Sequence, residues 1–166
     1  MFALKKQLRR LATAAIVTAA AAMTMTGQAS ADSYTPPRYL KNQATQYCLA
    51  TDFSGTVISW PGCNGPQRWQ FGFLDAYPGT ALLKNQATGL CLKQLNSTVV
   101  VSGTCDGSIA EFRWSANNGY VWSAHTGGYL VTNFNGEVYL HNAVPPSNQW
   151  WFWVPDNTQE KQMRSR

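Results

Sequence analysis

The stretch "LKNQATQYCL", residues 40–49, returns 43 residues later as "LKNQATGLCL", residues 83–92. Eight of the ten positions are identical, so the match indicates a repeated structural unit. Aligned on its Thr and Leu, "VWSAHTGGYL", residues 121–130, is a third copy, with Tyr129 where the other two have cysteine. Three units of about 40 residues, each too small to bury its own core, predict a closed threefold arrangement.

The segments around these copies have the composition of short strands. Apolar or alternating stretches such as "TVISW", "EVYLH" and "WWFWV" are separated by turn sequences such as "FSG", "NNG" and "FNG". Strands of about five residues, interrupted every ten residues or so by Gly, Asn or Pro, are typical of an all-β sandwich or barrel. The sequence therefore predicts an all-β fold.

The N-terminal segment is typical of a targeting sequence. Four basic residues lie within the first ten, an uncharged run rich in Ala and Thr follows, and "ASA" stands at residues 29–31. This pattern predicts a secretory signal peptide over residues 1–31 and a secreted, extracellular mature chain that begins at Asp32. An uncleaved membrane anchor is the alternative, but the run is weakly hydrophobic and a cleavage site follows it.

Loss of this segment would change the charge of the protein. Nine Lys and Arg would remain against eight Asp and Glu, so the net charge would fall from +5 to +1. The remaining chain has no cluster of Lys and Arg, so we expect no nucleic-acid partner, and we expect no membrane span in the mature form. Its length of about 135 residues suits one domain.

The ends of the repeats carry a family resemblance. "QRW" at 67–69 and "QWW" at 149–151 match the Q-x-W motif that ends each repeat of the ricin-type β-trefoil lectins, and "FRW" at 112–114 is a degenerate form. The "C-L … W-x-x-C" arrangement from Cys48 to Cys63 is also similar to a repeat of that family. The chain thus resembles a secreted bacterial member of the ricin-type family.

This resemblance implies a β-trefoil with pseudo-threefold symmetry over residues 39–155. In such a fold, six strands form a short barrel that three hairpins cap, and the Trp of each Q-x-W motif packs toward the shared core. Residues 32–38 would be an extended N-terminal segment, and residues 156–166 would be a polar tail. The expected core tryptophans are Trp69, Trp114 and Trp151.

The four cysteines fit the same scheme. In a secreted chain we expect all four to be paired, and of the three connectivities the repeats favour Cys48 with Cys63 and Cys91 with Cys105. Each bond would close a loop of about 15 residues and contribute on the order of 3 kcal/mol. Metal binding is the alternative, but the spacings contain no C-x-x-C pair. We therefore expect no metal and no cofactor.

The resemblance also implies where a sugar would bind. In ricin-type repeats an Asp after the "C-L" pair accepts hydrogen bonds from vicinal hydroxyls, an aromatic residue before the second Cys stacks on the pyranose, and an Asn before the Q-x-W Gln completes the contacts. In repeat one Ala50 replaces the Asp, and Asp52 is its expected substitute. The other expected ligands of this repeat are Trp60, Asn64 and Gln67.

Repeats two and three depart further from the pattern. Repeat two has Lys93 for the Asp and Phe112 for the Gln, which predicts a purely structural repeat. Repeat three has Val131 for the Asp. Its expected sugar ligands are Asn133, His141, Asn148 and Gln149.

The expected ligand is a glycan or polysaccharide, and a co-secreted protein partner is the alternative. In "NQWWFWV" alternation places Trp150 and Phe152 on one strand face, and an exposed aromatic pair suits a protein interface. Secreted proteins of the ricin-type family often act as adaptor or delivery subunits of larger toxins or enzymes, so a toxin-like complex is one context for such a partner. A protease inhibitor is a third option, but the sequence offers no identifiable reactive loop.

We expect no catalytic activity. The two histidines, His125 and His141, belong to the same repeat, and no Ser or Cys lies in a recognisable nucleophile motif. The carboxylates of the repeats show no pairing that would supply an acid and a base. They are Asp52, Asp75, Asp106, Glu111 and Glu137.

Overall fold

The computed structural model describes residue 31, residues 33–143 and residues 149–154. The predicted signal sequence up to residue 30, the predicted first mature residue Asp32, the predicted ligand Asn148 and the predicted polar tail lie outside the described residues. Within these ranges, no helix is long and apolar enough to span a membrane.

Each repeat contributes four strands in the same order. A short strand, β1 (Ser33–Tyr34), precedes the repeats. Repeat one contains β2 (Arg38–Asn42), β3 (Cys48–Thr51), β4 (Val57–Trp60) and β5 (Arg68–Phe73). Repeat two contains β6 (Ala81–Asn85), β7 (Cys91–Gln94), β8 (Val100–Gly103) and β9 (Trp114–Asn117). Repeat three contains β10 (Tyr120–Ser123), β11 (Tyr129–Thr132), β12 (Val138–His141) and β13 (Trp151–Val154). The 3₁₀ turns Gly65–Gln67 and Ala110–Phe112 lead into β5 and β9.

The first and last strands of the three repeats form a closed barrel. Antiparallel pairs join β2 to β5, β5 to β6, β6 to β9 and β9 to β10, and β13 pairs with β2. The amide of Trp151 donates a hydrogen bond of 2.7 Å to the carbonyl of Gly119, next to β10, and so closes the ring. The middle strands form the hairpins β3–β4, β7–β8 and β11–β12. The prediction of six barrel strands and three hairpins is confirmed.

The repeated decapeptide builds the turn between a barrel strand and a hairpin. Asn42 Oδ1 accepts hydrogen bonds from the amides two and three residues later, at 3.0 and 3.2 Å, and Asn85 Oδ1 accepts the equivalent pair at 3.0 Å. In the third copy Ser123 Oγ accepts the first of these bonds at 3.2 Å. Asn and Ser favour such turns because their side chains satisfy nearby backbone amides. "NQAT" is therefore a turn sequence between two core-facing leucines.

Equivalent side chains of the three repeats meet in one core. They are Leu40, Leu83 and Val121; Leu49, Leu92 and Leu130; Val57, Val100 and Val138; and Trp69, Trp114 and Trp151. Each tryptophan also donates its indole N–H to the carbonyl of its own repeat's core leucine on β3, β7 or β11, at 2.8, 2.9 and 2.8 Å. The predicted core role of the three tryptophans is confirmed. Full burial of an apolar side chain contributes about 1.5–3 kcal/mol, so these layers dominate the stability.

Both predicted disulfides are present. Cys48 is bonded to Cys63 and Cys91 to Cys105, with Cα atoms 5.3 and 4.9 Å apart. All four cysteines of the chain are thereby paired, and the alternative of a cysteine metal site is wrong. Each bond ties the segment after a hairpin to the hairpin's first strand.

The three hairpins are joined head to tail. The turn of each hairpin offers a carbonyl to an amide in the second strand of another hairpin. The bonds run from Ser102 to Gly55 at 2.8 Å, from Ser59 to Gly136 at 2.8 Å, and from Leu140 to Thr98 at 2.9 Å. A Cβ atom on Gly55 or Gly136 would lie 2.6 Å from a carbonyl oxygen, so this close approach requires glycine. The ring of bonds places the turn of each hairpin beside the second strand of another hairpin.

Candidate functional site

A pocket of about 330 Å³ opens on the outer face of the repeat-one hairpin. Its lining consists of Ala50, Thr51, Asp52, Thr56, Ile58, Trp60, Asn64 and Gln67. All four residues that the sequence nominated in repeat one are therefore gathered around one cavity. Their role in binding stays a prediction.

The strand register explains why the pocket has an apolar wall. Across the β3–β4 hairpin Cys48 pairs with Trp60 and Ala50 pairs with Ile58. Paired residues of an antiparallel hairpin share a face, so Ala50, Ile58 and Trp60 line one side. Because Ala50 is small, the space between the two larger side chains stays open.

Trp60 is held in an exposed position. Its side chain is 59% exposed, which is unusual for a ring of this size in a small domain. The Cys48–Cys63 disulfide closes the segment after Trp60, and Gln67 Nε2 donates a hydrogen bond of 3.1 Å to the Trp60 carbonyl. The backbone that carries the indole is therefore braced on both sides.

Gln67, one of the predicted sugar ligands, is placed by bonds to the backbone. The side chain is buried, Nε2 donates to the Trp60 carbonyl, and Oε1 accepts a hydrogen bond of 2.7 Å from the amide of Asn64. Both ends of the amide are thus engaged with the backbone. The structure gives Gln67 the task of positioning Trp60 and Asn64, because a buried amide must find internal partners.

Asp52 supplies the charge of the pocket. Its Oδ1 accepts hydrogen bonds from the hydroxyl and the amide of Ser54, at 2.6 and 2.9 Å, and from the amide of Thr56 at 2.9 Å. These bonds, that from the Ser54 hydroxyl foremost, hold the pKa of Asp52 below its ordinary value. The carboxylate is therefore ionised at neutral pH and fixed at the rim.

In repeat three, Asn133 occupies the position equivalent to Asp52. Its Oδ1 accepts hydrogen bonds from the amides of Asn135 and Glu137, at 2.9 and 3.1 Å, and its Nδ2 donates to Glu137 Oε2 at 2.6 Å. The whole side-chain amide is engaged within its own turn. A sugar at this position would have to compete with those bonds.

His141 and Gln149 are also placed by local bonds. His141 is exposed at the end of β12, the position equivalent to Trp60, and its Nδ1 lies 2.9 Å from the Ala143 carbonyl oxygen. Gln149 Oε1 accepts a long hydrogen bond of 3.4 Å from the amide of Thr132. Asn148 falls outside the described residues, so the predicted set of repeat three is only partly placed.

Repeat two has different side chains at the equivalent position. The Lys93 ammonium lies 5.2 Å from the centre of the buried Phe112 ring, and Gly103 stands opposite Cys91 where repeat one has Trp60. A Cβ atom on Gly103 would already lie 3.5 Å from the Phe112 ring. Lys93 and Phe112 thus occupy the region that is open in repeat one.

Of the predicted interface pair, Phe152 lies on the last strand and Trp150 directly precedes that strand. Trp151 is buried, whereas Phe152 is 41% exposed and Trp150 is half-buried. The Trp150 ring packs edge-on against Tyr120 at 5.7 Å and against Phe152 at 6.4 Å. Within the part of the chain that the structure describes, the buried indole N–H of Trp150 has no hydrogen-bond partner.

Two exposed rings were not nominated from the sequence. Phe53 and Phe134 are 81% and 71% exposed and stand at equivalent places in the turns of the first and third hairpins. They could have been found from the matching turn sequences "DFSG" at 52–55 and "NFNG" at 133–136, which both place a Phe at the second position. Ile58, which lines the pocket, could have been found from alternation, because it lies two residues before Trp60.

No metal site is visible in the described ranges, which contain no group of three or more His, Cys, Asp or Glu side chains able to hold an ion. What the pocket offers is one exposed indole, one fixed carboxylate and apolar side chains.

Comparison with known proteins addresses the fold. No family model matches the chain, and no curated protein matches it. Among solved structures, it is similar to one titled "Crystal structure of designed 3-fold symmetric protein, ThreeFoil", with a TM-score of 0.61 and 20% sequence identity over 72% of this chain and 98% of that chain. At this identity the likeness concerns the fold alone. Together with the shared strand order of the three repeats, it shows that the chain adopts a threefold-symmetric β-trefoil fold.

Proposed function

We propose that this chain is a secreted, non-catalytic carbohydrate-binding protein of the ricin type and that the repeat-one pocket is its working site. The observation that carries the proposal is the exposed Trp60 ring beside an ionised carboxylate, Asp52, at the rim of one cavity. A pyranose has an apolar face and a rim of hydroxyls, so it binds best to one flat ring with fixed polar groups nearby.

The indole supports this proposal by its exposure and its bracing. Burial of a large aromatic ring is favourable, so an indole left mostly in water while its backbone is held firmly is suited to an external apolar surface. The pyranose face is such a surface. Ile58 extends the apolar wall beside the ring.

Asp52 supports the proposal by its charge. The ricin-type position for the acid is occupied by Ala50, whose small side chain leaves room for a hydroxyl group to approach Asp52 two residues later. Hydrogen bonds to a charged acceptor are about twice as strong as neutral ones, and the bonds from Ser54 and Thr56 keep this acceptor in place. We assign to Asp52 the contacts with vicinal hydroxyls, and to Asn64 a further contact at the opposite rim.

A binding role is preferred to hydrolysis because of the carboxylate content. Most glycosidases use a pair of carboxyl groups on either side of the bond that is cleaved. Among the described residues that line the pocket, Asp52 is the sole acid. This composition favours reversible binding.

The test is a glycan-array screen of the disulfide-bonded protein without residues 1–31, with free sugars as competitors. We expect competable binding that Trp60→Ala abolishes without changing the melting temperature. Phe152→Ala is the matched control, since it removes another exposed ring that does not line the pocket. A blank array, or binding that survives Trp60→Ala, would refute the proposal.

A second candidate function is adaptor binding to a co-secreted protein, as in a toxin-like complex. The specific observation in its favour is the exposed Phe152 beside Trp150, whose indole N–H finds no acceptor among the described residues. A partner carbonyl would satisfy that donor, and aromatic anchors are common at interface centres. Loss of co-purification with a secreted protein in Phe152→Ala, but not in Trp60→Ala, would support this candidate over the first.

A further inference from the structure

The exposed apolar side chains of the protein are concentrated on the hairpins. In the described ranges, ten large hydrophobic residues are exposed, and seven of them belong to the three hairpins and their turns. The seven are Phe53, Ile58, Trp60, Leu95, Val99, Phe134 and Tyr139. The head-to-tail bonds between hairpins bring these side chains to one end of the barrel.

The two most exposed rings, Phe53 and Phe134, belong to turns that adjoin residues of the repeat-one pocket or its hairpin. Phe53 directly follows Asp52, which lines the pocket. Phe134 comes from repeat three, but its carbonyl accepts a hydrogen bond of 3.4 Å from the hydroxyl of Tyr47 in repeat one. The Gly136 carbonyl of the same turn accepts a bond from the amide of Ser59, which lies between Ile58 and Trp60.

Both rings are presented by well-ordered turns. In each turn the residue before the Phe, Asp52 or Asn133, accepts hydrogen bonds from two backbone amides through its side-chain oxygen. A glycine with φ of 90° or 84° closes the turn. With exposures of 81% and 71%, the rings make little contact with the rest of the protein. They protrude singly and do not form a flat packed patch.

The charges in the hairpin turns limit the kind of surface that the two rings can contact. The hairpin turns 52–56, 95–99 and 133–137 contain no Lys or Arg and carry two acids, Asp52 and Glu137. They therefore have no electrostatic attraction for an anionic lipid surface. Stable membrane attachment needs two signals, and two aromatic rings alone provide one weak signal.

On the basis of the proposed glycan site, we propose that the ligand of the repeat-one pocket is the head group of a neutral glycolipid in a bilayer. Phe53 and Phe134 enter the interfacial layer on either side of the bound sugar. The pocket provides the specific signal and the rings provide the apolar one. A bilayer interface accepts isolated protruding rings without a complementary cavity, whereas a protein partner would need a fitted pocket for each ring.

The test compares the same sugars in three forms. The probes are phosphatidylcholine vesicles that contain neutral glycolipids ending in galactose, glucose, mannose or N-acetylglucosamine, the same head groups on a soluble polymer, and the free sugars. The polymer controls for multivalency. The variants are Trp60→Ala, the double variant Phe53→Ser with Phe134→Ser, and Phe73→Ser, which removes a ring on β5 that is 55% exposed. The melting temperature of each variant reports on folding.

We expect at least one glycolipid vesicle to bind at least about tenfold more tightly than the matching polymer, because the rings add a second contact. The double variant should lose that gain and keep polymer binding, Trp60→Ala should lose both, and Phe73→Ser should lose neither. Equal vesicle binding by the wild type and the double variant would overturn the inference and leave the glycan site intact, with the rings assigned to a protein partner instead. Binding of the wild type to phosphatidylcholine vesicles without glycolipid as tight as its binding to every glycolipid vesicle would also overturn it. No binding to a sugar in any form would refute the proposed function itself.

Discussion

In repeat one the residue opposite the first cysteine is Trp60, whereas in repeat two it is Gly103. Repeat one has the small Ala50 beside the tryptophan, while repeat two has Lys93 over the Phe112 ring. Yet both repeats have the same strand order, the same turn at the decapeptide and a disulfide at the same place. The inward face is thus shared, and the two repeats differ on the outward face, where repeat one has its pocket.

The largest expected effect is a loss of stability when a core tryptophan of the shared inward face is removed. Trp69→Ala and Trp114→Ala should each destabilise the fold by about 3–5 kcal/mol, because each loses a buried ring and leaves a cavity. Urea denaturation followed by circular dichroism would measure the loss. Trp60→Ala is the control and should stay within about 0.5 kcal/mol of the wild type, since its ring is exposed. A large loss in one core variant and none in the other would contradict the equivalence of the repeats.

Removal of each disulfide in turn would distinguish an effect on stability from an effect on glycan binding. Removal of Cys48–Cys63 or of Cys91–Cys105 by paired Ala substitution should cost a similar amount, about 3 kcal/mol, because the closed loops are of nearly equal length. Only the first should also weaken glycan binding, since only that bond braces Trp60. Thermal unfolding and glycan titration below the melting transition would measure both effects. Equal losses of binding in the two variants would show that the pocket does not depend on local bracing.

A smaller effect is expected when Ala50 of repeat one is replaced by lysine, the residue that repeat two has at the equivalent position. Ala50→Lys should fill the repeat-one pocket and weaken glycan binding by at least about tenfold, which corresponds to 1.4 kcal/mol. Lys93→Ala is the matched control in repeat two and should leave binding unchanged. Isothermal titration would give both affinities. Unimpaired binding by Ala50→Lys would move the site away from this pocket.

The smallest effect concerns pH. The pKa of Asp52 is lowered in the folded protein, so its turn bonds stabilise the fold at pH above the ordinary Asp value of about 3.9 and are lost as the pH falls through the lower folded pKa. Glycan affinity should therefore be constant from neutral pH down to about pH 4 and fall only below it. Asp52→Asn should keep the turn, as Asn133 does in repeat three, bind more weakly and lose this dependence. A transition near pH 6.5 in the wild type would indicate a histidine instead.

The turns, core side chains and disulfides of the inward face could be predicted from the sequence because their determinants are local and repeated. The decapeptide and the tryptophan that ends each repeat recur three times, and the cysteine pair recurs twice. Each recurrence corresponds to a turn, a core side chain or a disulfide. Repetition makes the pattern redundant, so a degenerate copy such as "FRW" is still recognised.

The outward face was less predictable because it depends on contacts between repeats. The two backbone partners of the Gln67 side chain could not be predicted from the sequence. Phe134 is distant from Trp60 in sequence and approaches the same pocket only because the hairpins are joined head to tail. Periodicity does not report such contacts, since they are set by the closure of the barrel.

The most direct test of a glycan site in repeat one is an NMR titration of the labelled protein with a panel of monosaccharides and disaccharides at millimolar concentration. The proposal predicts the largest shift changes at the Trp60 indole N–H and at the backbone amides of Asp52 and Asn64, with little change at Gly103. Changes centred on Trp150 and Phe152, or no change with any sugar, would contradict it.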